Sequence, residues 1–287
     1  MSKRILKDAQ DWSSLTERQK ARKEHPVTPS TSVEILSLYK KYFKKTVNKK
    51  KRAKVIVFGA TPELRDIALE EGCELITVDL SLEQILKMSE LMKKKNRPNE
   101  IIVRGDWLKI ADILRNKNFD LIMGDGCFVN LSLKGQKELA KVCQSLLKKD
   151  GCILIREGVV NLKKQRKSAS LYVKNYQQGR MKFPDLFINL ALYATDIKVW
   201  NPKTGQFSYI IFSKTIKNLY QKEILNKKEF KKLEKFVFPG AGYRFLFYRG
   251  EFEKLLKKYF KLLPVEQCRT LEICQTFRFY LGRPKNF

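Results

Sequence analysis

The sequence predicts an α/β fold, a mostly parallel sheet with helices on both faces over roughly residues 50–160 of the 287-residue chain. Three observations predict it. From Lys54 onward, short apolar runs alternate with segments of helical periodicity. The first run, Val55 to Phe58, is continuously apolar, as expected of a strand covered on both faces. Glycine and aspartate clusters close these runs, at the edge where an open sheet binds ligands.

Taken in order, Val55–Phe58 is the first strand and Pro62–Glu71 the first helix of the series. The strand Cys73–Val78 and the helix Leu82–Lys95 come next. Ile101–Val103 is a strand, Leu108–Arg115 a short helix and Phe119–Met123 a strand. The helix Ser132–Lys149 and the strand Cys152–Ile155 complete five strands and four helices, with right-handed crossovers expected. Before them, residues 1–52 read as a polar helical leader: Pro26 and Pro29 interrupt it, then Val33, Leu36, Tyr39, Lys40 and Phe43 recur at helical spacing. Residues 159–242 read as mainly helical, over Lys163–Tyr176, Asp185–Ala194, Ile216–Leu225 and Lys228–Phe236, with a hairpin of Asp196–Trp200 and Ser208–Phe212 as the alternative for the middle. Residues 243–287 give an extended stretch at Tyr243–Tyr248, a helix at Glu251–Tyr259 and strands near Lys261–Val265 and Thr276–Leu281.

Composition narrows the class. At 43% hydrophobic residues the chain can bury a core, and no apolar run approaches the roughly 18 residues a membrane helix needs. The charged start lacks the apolar stretch of a signal peptide, so a soluble, cytoplasmic protein is expected. Six cysteines without a C-x-x-C pair, and a single histidine (His25), argue against a zinc site and for buried free thiols. The formal charge of +29 favours phosphate-rich partners through electrostatic steering. Lysine-rich, asparagine- and isoleucine-rich coding bias would produce the same skew.

The first strand runs into Gly59-Ala60-Thr61-Pro62. Gly59 permits a tight turn, Thr61 suits a helix N-cap and Pro62 the first helical position. Such a turn presents backbone N–H groups at a helix N-terminus. Asp79 ends the second strand 20 residues on, where an acid accepts hydrogen bonds from ribose hydroxyls. Asp106 and Trp107 end the third strand, an acid and an aromatic suited to gripping adenine. Asp125 and Gly126 end the fourth. Each feature has a plain alternative: Asp79 and Asp106 would equally cap the next helices, Trp107 would pack in the core, and Asp125 would shape a turn.

With these motifs in place, the sequence resembles the class I S-adenosylmethionine-dependent methyltransferases over about residues 53–157. Gly59-Ala-Thr-Pro-Glu-Leu is similar to their first motif in a glycine-poor variant. Val78-Asp79-Leu80-Ser81 is similar to the acidic motif after it, Gly105-Asp106-Trp107 to the adenine-contacting turn, and Asp120 to Gly126 to the fourth motif. The resemblance implies a Rossmann-like, seven-stranded sheet with a helical insertion after strand five and a C-terminal antiparallel hairpin. It implies residues 53–158 as the cofactor-binding core, 159–242 as a substrate lid, and 243–287 as the rest of the sheet. Cofactor contacts would come from Gly59, Ala60, Thr61, Pro62, Asp79, Leu80, Asp106, Trp107, Asp125 and Gly126, with S-adenosyl-L-homocysteine as product. Asp125 and Glu157 would serve the chemistry, and Phe128, Arg156, Tyr172 and Tyr176 the acceptor. Arg156 and Glu157 would equally pair with each other, and the two tyrosines would equally fill a helical core.

A small-molecule acceptor is the leading expectation. RNA is the alternative, supported by the basic charge, although no Asn/Asp-Pro-Pro-aromatic motif follows strand four. A nicotinamide-dependent oxidoreductase is the second alternative, disfavoured by the missing G-x-G-x-x-G. No metal is expected, and oligomeric state is not legible.

Overall fold

The structure is a computed structural model. It describes residues 32–47, 52–114, 118–161, 163–235, 237, 243–269 and 272–285. The leader before residue 32, with Trp12 and His25, lies outside the described residues. Two compact units are present: residues 30–158, 250–268 and 277–287 form one, and residues 159–249 with 269–276 belong to the other.

The first unit is a seven-stranded sheet with helices. In chain order its elements are α1 (Val33–Val47), β1 (Lys54–Phe58), α2 (Pro62–Glu70), β2 (Glu74–Asp79), α3 (Leu82–Ser89) and β3 (Glu100–Arg104). They continue with α4 (Ile110–Ile113), β4 (Phe119–Asp125), α5 (Leu133–Leu146) and β5 (Leu147–Gly158). The strand order is β3-β2-β1-β4-β5-β9-β8, where β8 is Phe260–Leu263 and β9 is Phe277–Pro284. The first five strands pair in parallel, and β9 runs antiparallel to both β5 and β8. The chain builds outward from β1 to β3 and then returns to place β4 on the other side of β1. That reversal opens the ligand crevice of such sheets, between β1 and β4.

Burial explains the strands. Val55, Ile56, Val57, Leu121, Ile122 and Met123 are all fully buried, as strands covered on both faces require. On β2, Thr77 is buried too and donates its hydroxyl to Glu100 at 2.7 Å. Glu100 also receives Arg65 of α2, through Nε at 2.7 Å and Nη2 at 3.1 Å. The same guanidinium reaches Ser89 Oγ at 2.7 Å and the Ile85 carbonyl at 3.3 Å, tying α2, α3 and β3 together.

Several expected bounds shift, each for a local reason. The helix after β2 ends at Ser89 rather than Lys95. The buried Asp66 carboxylate accepts the backbone N–H groups of Lys93 and Lys94, at 2.9 and 3.0 Å, and holds that segment out of the helix. The helix before β5 stops at Leu146, because Leu147 already pairs with Phe119 in the sheet. Four of the six cysteines are free thiols; Cys268 and Cys274 are disulfide-bonded, which corrects the all-thiol expectation. No helix among the described residues is long and apolar enough to cross a membrane.

The second unit is mainly helical: α6 (Ala169–Gln177), α7 (Phe183–Ile188) running into a π-turn (Asn189–Tyr193), α8 (Tyr209–Gln221) and α9 (Lys227–Glu234). The alternative hairpin does not form. Ser208 Oγ accepts the Ile211 N–H and starts α8 there, so β6 (Gln206–Ser208) pairs with β7 (Tyr243–Phe245). What forms in its place is an antiparallel bridge from Trp200 to Phe207, flanked by backbone bonds from the Asn201 N–H to the Gln206 carbonyl at 2.8 Å and from the Ser208 N–H to the Val199 carbonyl at 3.1 Å. A short helix, α10 (Arg249–Tyr259), leads back to β8.

Candidate active site

The parallel register aligns the strand ends. Phe58 sits beside Val78 and Gly124, Asp79 beside Arg104, and Asp125 beside Arg156. The residues singled out in the sheet therefore share one edge of one unit.

Gly59 has φ +86°, a left-handed backbone that disfavours any side chain, and its N–H donates to the Val78 carbonyl at 2.9 Å. A Cβ placed there would stand 3.9 Å from Trp107 Cζ2 and 4.0 Å from Asp79 Oδ2. Three separate strand ends thus converge on the space that the missing side chain leaves. Ala60 is buried against Ile85 and Met88. Thr61 occupies the N-cap position, but its hydroxyl makes no capping bond; Pro62 takes the first helical position as expected.

Asp79 does not cap α3. Ser81 does, accepting the Gln84 N–H at 3.1 Å, while Asp79 Oδ1 accepts the Ser81 N–H at 2.9 Å. Burial pushes the Asp79 carboxyl up to about 6, against the pull of the Ser81 and Leu80 N–H groups. The Leu80 carbonyl accepts from Arg104 Nε at 3.3 Å. Asp106 likewise shapes its own turn, through Oδ1 to the Leu108 N–H at 2.9 Å, and α4 has Lys109 at its N-cap. Trp107 is half-buried. Its indole N–H donates to the Val78 carbonyl at 2.8 Å and its ring lies 6.0 Å from that of Phe58, which fixes the plane of the indole.

Across the crevice, Asp125 is engaged by Arg156. Nη2 reaches Oδ1 and Oδ2 at 2.7 Å each, and Nε reaches Oδ1 at 3.0 Å. Arg156 and Glu157 do not pair with each other. Consecutive strand residues point to opposite faces, and Glu157 turns to the short 3₁₀ turn Phe128–Asn130. Its carboxylate accepts the N–H groups of Cys127 at 2.8 Å, Phe128 at 3.1 Å and Val129 at 3.4 Å. Glu157 is fully buried, and that burial pushes its carboxyl up to about 8. Gly126 turns at φ +69° and donates its N–H to the Arg156 carbonyl at 2.8 Å.

Phe128 is 1% exposed and packs edge-on against Phe252 at 5.5 Å, as part of the core of its unit. Tyr172 and Tyr176 belong to the helical unit. Tyr172 is buried and donates to the Gln165 carbonyl at 3.2 Å; Tyr176 lies 6.1 Å from the Phe183 ring and accepts from Lys232 at 3.5 Å.

The sequence marks one residue at this edge only as a helical position. Tyr39 of α1 is buried, packs edge-on against Phe279 and donates its hydroxyl to the Gly124 carbonyl at 3.0 Å. Its helical spacing was visible; its partner, 85 residues away, was not. Among the described residues no group of three or more His, Cys, Asp or Glu could hold a metal ion.

No protein-family model matches the chain, and no curated protein matches it by sequence. Solved structures do match. The 1,6-didemethyltoxoflavin-N1-methyltransferase of Burkholderia thailandensis, solved with 1,6-didemethyltoxoflavin and S-adenosylhomocysteine, has a TM-score of 0.54 at 11% identity, covering 100% of this chain and 92% of its own. The CcbJ methyltransferase of Streptomyces caelestis has a TM-score of 0.51 at 11% identity, covering 86% of this chain and 90% of its own. A Rhodobacter sphaeroides protein named for Zn-dependent alcohol dehydrogenases reaches 0.51 at 15% identity, covering 85% and 89%. Structural neighbours are mostly S-adenosylmethionine-dependent methyltransferases, at low identity. The chain has their fold: the seven-stranded, mostly parallel Rossmann-like sheet closed by an antiparallel pair of C-terminal strands.

Proposed function

We propose that this chain binds S-adenosylmethionine along the carboxyl edge of β1 to β4 and methylates a small-molecule acceptor. The observation that carries the reading is the convergence of Gly59, Asp79 and Trp107. A carboxylate with one oxygen already held by a backbone N–H and a fixed indole stand at neighbouring strand ends, beside a glycine that puts no side chain between them, and these groups suit a ribose carrying a flat base.

Asp79 would accept the ribose hydroxyls, and Trp107 with Asp106 would border the adenine. The turn from Gly59 to Pro62 brings backbone N–H groups towards the amino-acid end. When bound, the cofactor brings a methyl group that its sulfonium already makes electrophilic. The protein is then left to align the acceptor and keep water out. Glu157 is assigned to holding the 127–129 turn rather than to proton transfer, because its oxygens already receive three N–H groups inside the fold.

A small acceptor is favoured by the neighbour solved with 1,6-didemethyltoxoflavin. RNA is the second reading, on the strength of the +29 charge. Calorimetry with S-adenosylmethionine, S-adenosylhomocysteine and NAD tests the cofactor, and labelled cofactor offered metabolite and RNA pools tests the acceptor. Asp79→Ala is expected to weaken S-adenosylhomocysteine binding at least about tenfold, as loss of hydrogen bonds to a charged group implies, with an unchanged melting temperature. Wild-type binding to NAD alone would overturn the proposal.

A further inference from the structure

Three polar side chains are buried around a single short segment, residues 124–130, where the first unit changes from strand to helix. From one side, Tyr39 holds the Gly124 carbonyl and Arg156 holds the Asp125 carboxylate. The Arg156 carbonyl also takes the Gly126 N–H. From the other, Glu157 collects the N–H groups of Cys127, Phe128 and Val129. Cys127 Sγ donates to the Phe58 carbonyl at 3.2 Å, which joins the segment to the end of β1. Burying an ion pair together with a further carboxyl is expensive, and a fold needing only core stability would fill this space with apolar side chains. What these groups give is one fixed position for the Asp125 carboxylate.

The bonding leaves that carboxylate unfinished. A carboxylate has about four lone-pair sites. Arg156 occupies two on Oδ1 and one on Oδ2, so Oδ2 keeps room for one further donor. Its place in the sheet says which donor. The nucleoside subsite lies at β2 and β3, and β4 is the strand beyond β1. Three strand spacings separate β3 from β4, roughly 14 Å, so a cofactor with its base at Trp107 extends its other end towards Asp125.

We propose that Tyr39 and Arg156 are positioning residues: together they hold Asp125 so that its Oδ2 receives the ammonium of the cofactor's amino-acid end. This rests on the S-adenosylmethionine reading above. The test uses two ligands with the same nucleoside. S-adenosylhomocysteine carries the amino-acid end; 5′-methylthioadenosine lacks it.

Calorimetry on the full chain compares both ligands with wild type, Tyr39→Phe and Arg156→Lys. Tyr39→Phe keeps every charge and most of the packing, so it reports even where Arg156 variants fold poorly. It is expected to raise the Kd of S-adenosylhomocysteine about fivefold, the scale of one hydrogen bond, and leave that of 5′-methylthioadenosine within about twofold. Arg156→Lys loses the two-pronged grip and is expected to cost S-adenosylhomocysteine more, again sparing 5′-methylthioadenosine. Equal losses for both ligands would mean a merely structural role and would overturn the proposal, as would no loss for either. Wild-type protein that binds neither ligand would sink the cofactor reading itself, and this proposal with it.

Discussion

At the scale of single residues, two buried carboxyls set the pH behaviour. Asp79 titrates at about 6 because burial outweighs the N–H groups facing it. A ribose hydroxyl donates best to the ionised form. Affinity for S-adenosylhomocysteine is therefore expected to fall as pH drops through about 6, and Asp79→Asn should abolish that dependence in calorimetry between pH 5 and 8. Glu157 carries the opposite lesson for stability. Its carboxyl, raised to about 8 by burial, keeps its proton in the folded chain while an unfolded glutamate loses it near 4.5. The native state then binds more protons across that window, so stability falls as pH rises from about 4.5 to 8. Wild-type melting temperature should decline over that range, and Glu157→Gln should flatten the decline. An identical slope in the variant would show that the carboxyl is already ionised. Both groups were legible as candidates, since each ends a strand. Their surroundings were not. Arg156 and Glu157 look like a pair on paper, but strand alternation sends them to opposite faces, and the partner of Arg156 is its ladder neighbour Asp125.

At the scale of elements, the sheet was legible where burial is two-sided. β1 and β4 announce themselves as continuous apolar runs, and their observed bounds lie within two residues of those expected. Bounds failed where a polar side chain intervened: the distant Asp66 ends α3 early, and Ser208, as the N-cap of α8, turns the second strand of the alternative hairpin into a helix start. The Arg65–Glu100 pair is the other such group. It is almost wholly buried, with side-chain exposures of 0% and 2%, and it couples α2, α3 and β3. Arg65→Met is expected to destabilise the chain by about 3–5 kcal/mol in denaturant unfolding, because Glu100 would be left charged in the interior. Arg97 also pairs with Glu100, but through one longer contact at 3.4 Å against the two of Arg65 at 2.7 and 3.1 Å. A loss below about 1 kcal/mol would mean that Glu100 finds another partner or a proton.

At the scale of the molecule, the order of the strands has a temporal side. β8 pairs in the large sheet only with β9, and β9 sits between β8 and β5. The ring of Phe277, at the start of β9, lies under the Arg156 guanidinium, 5.6 Å away, and Phe279 packs on Tyr39. Both props of Asp125 thus lean on a strand encoded some 120 residues after β5 ends. On the ribosome, a nascent chain carrying all of β1 to β5 would still have an open edge beside its fifth strand. Competence to hold a ligand by both ends would be among the last properties the growing polypeptide acquires, arriving only when residues 277–284 slide into the gap.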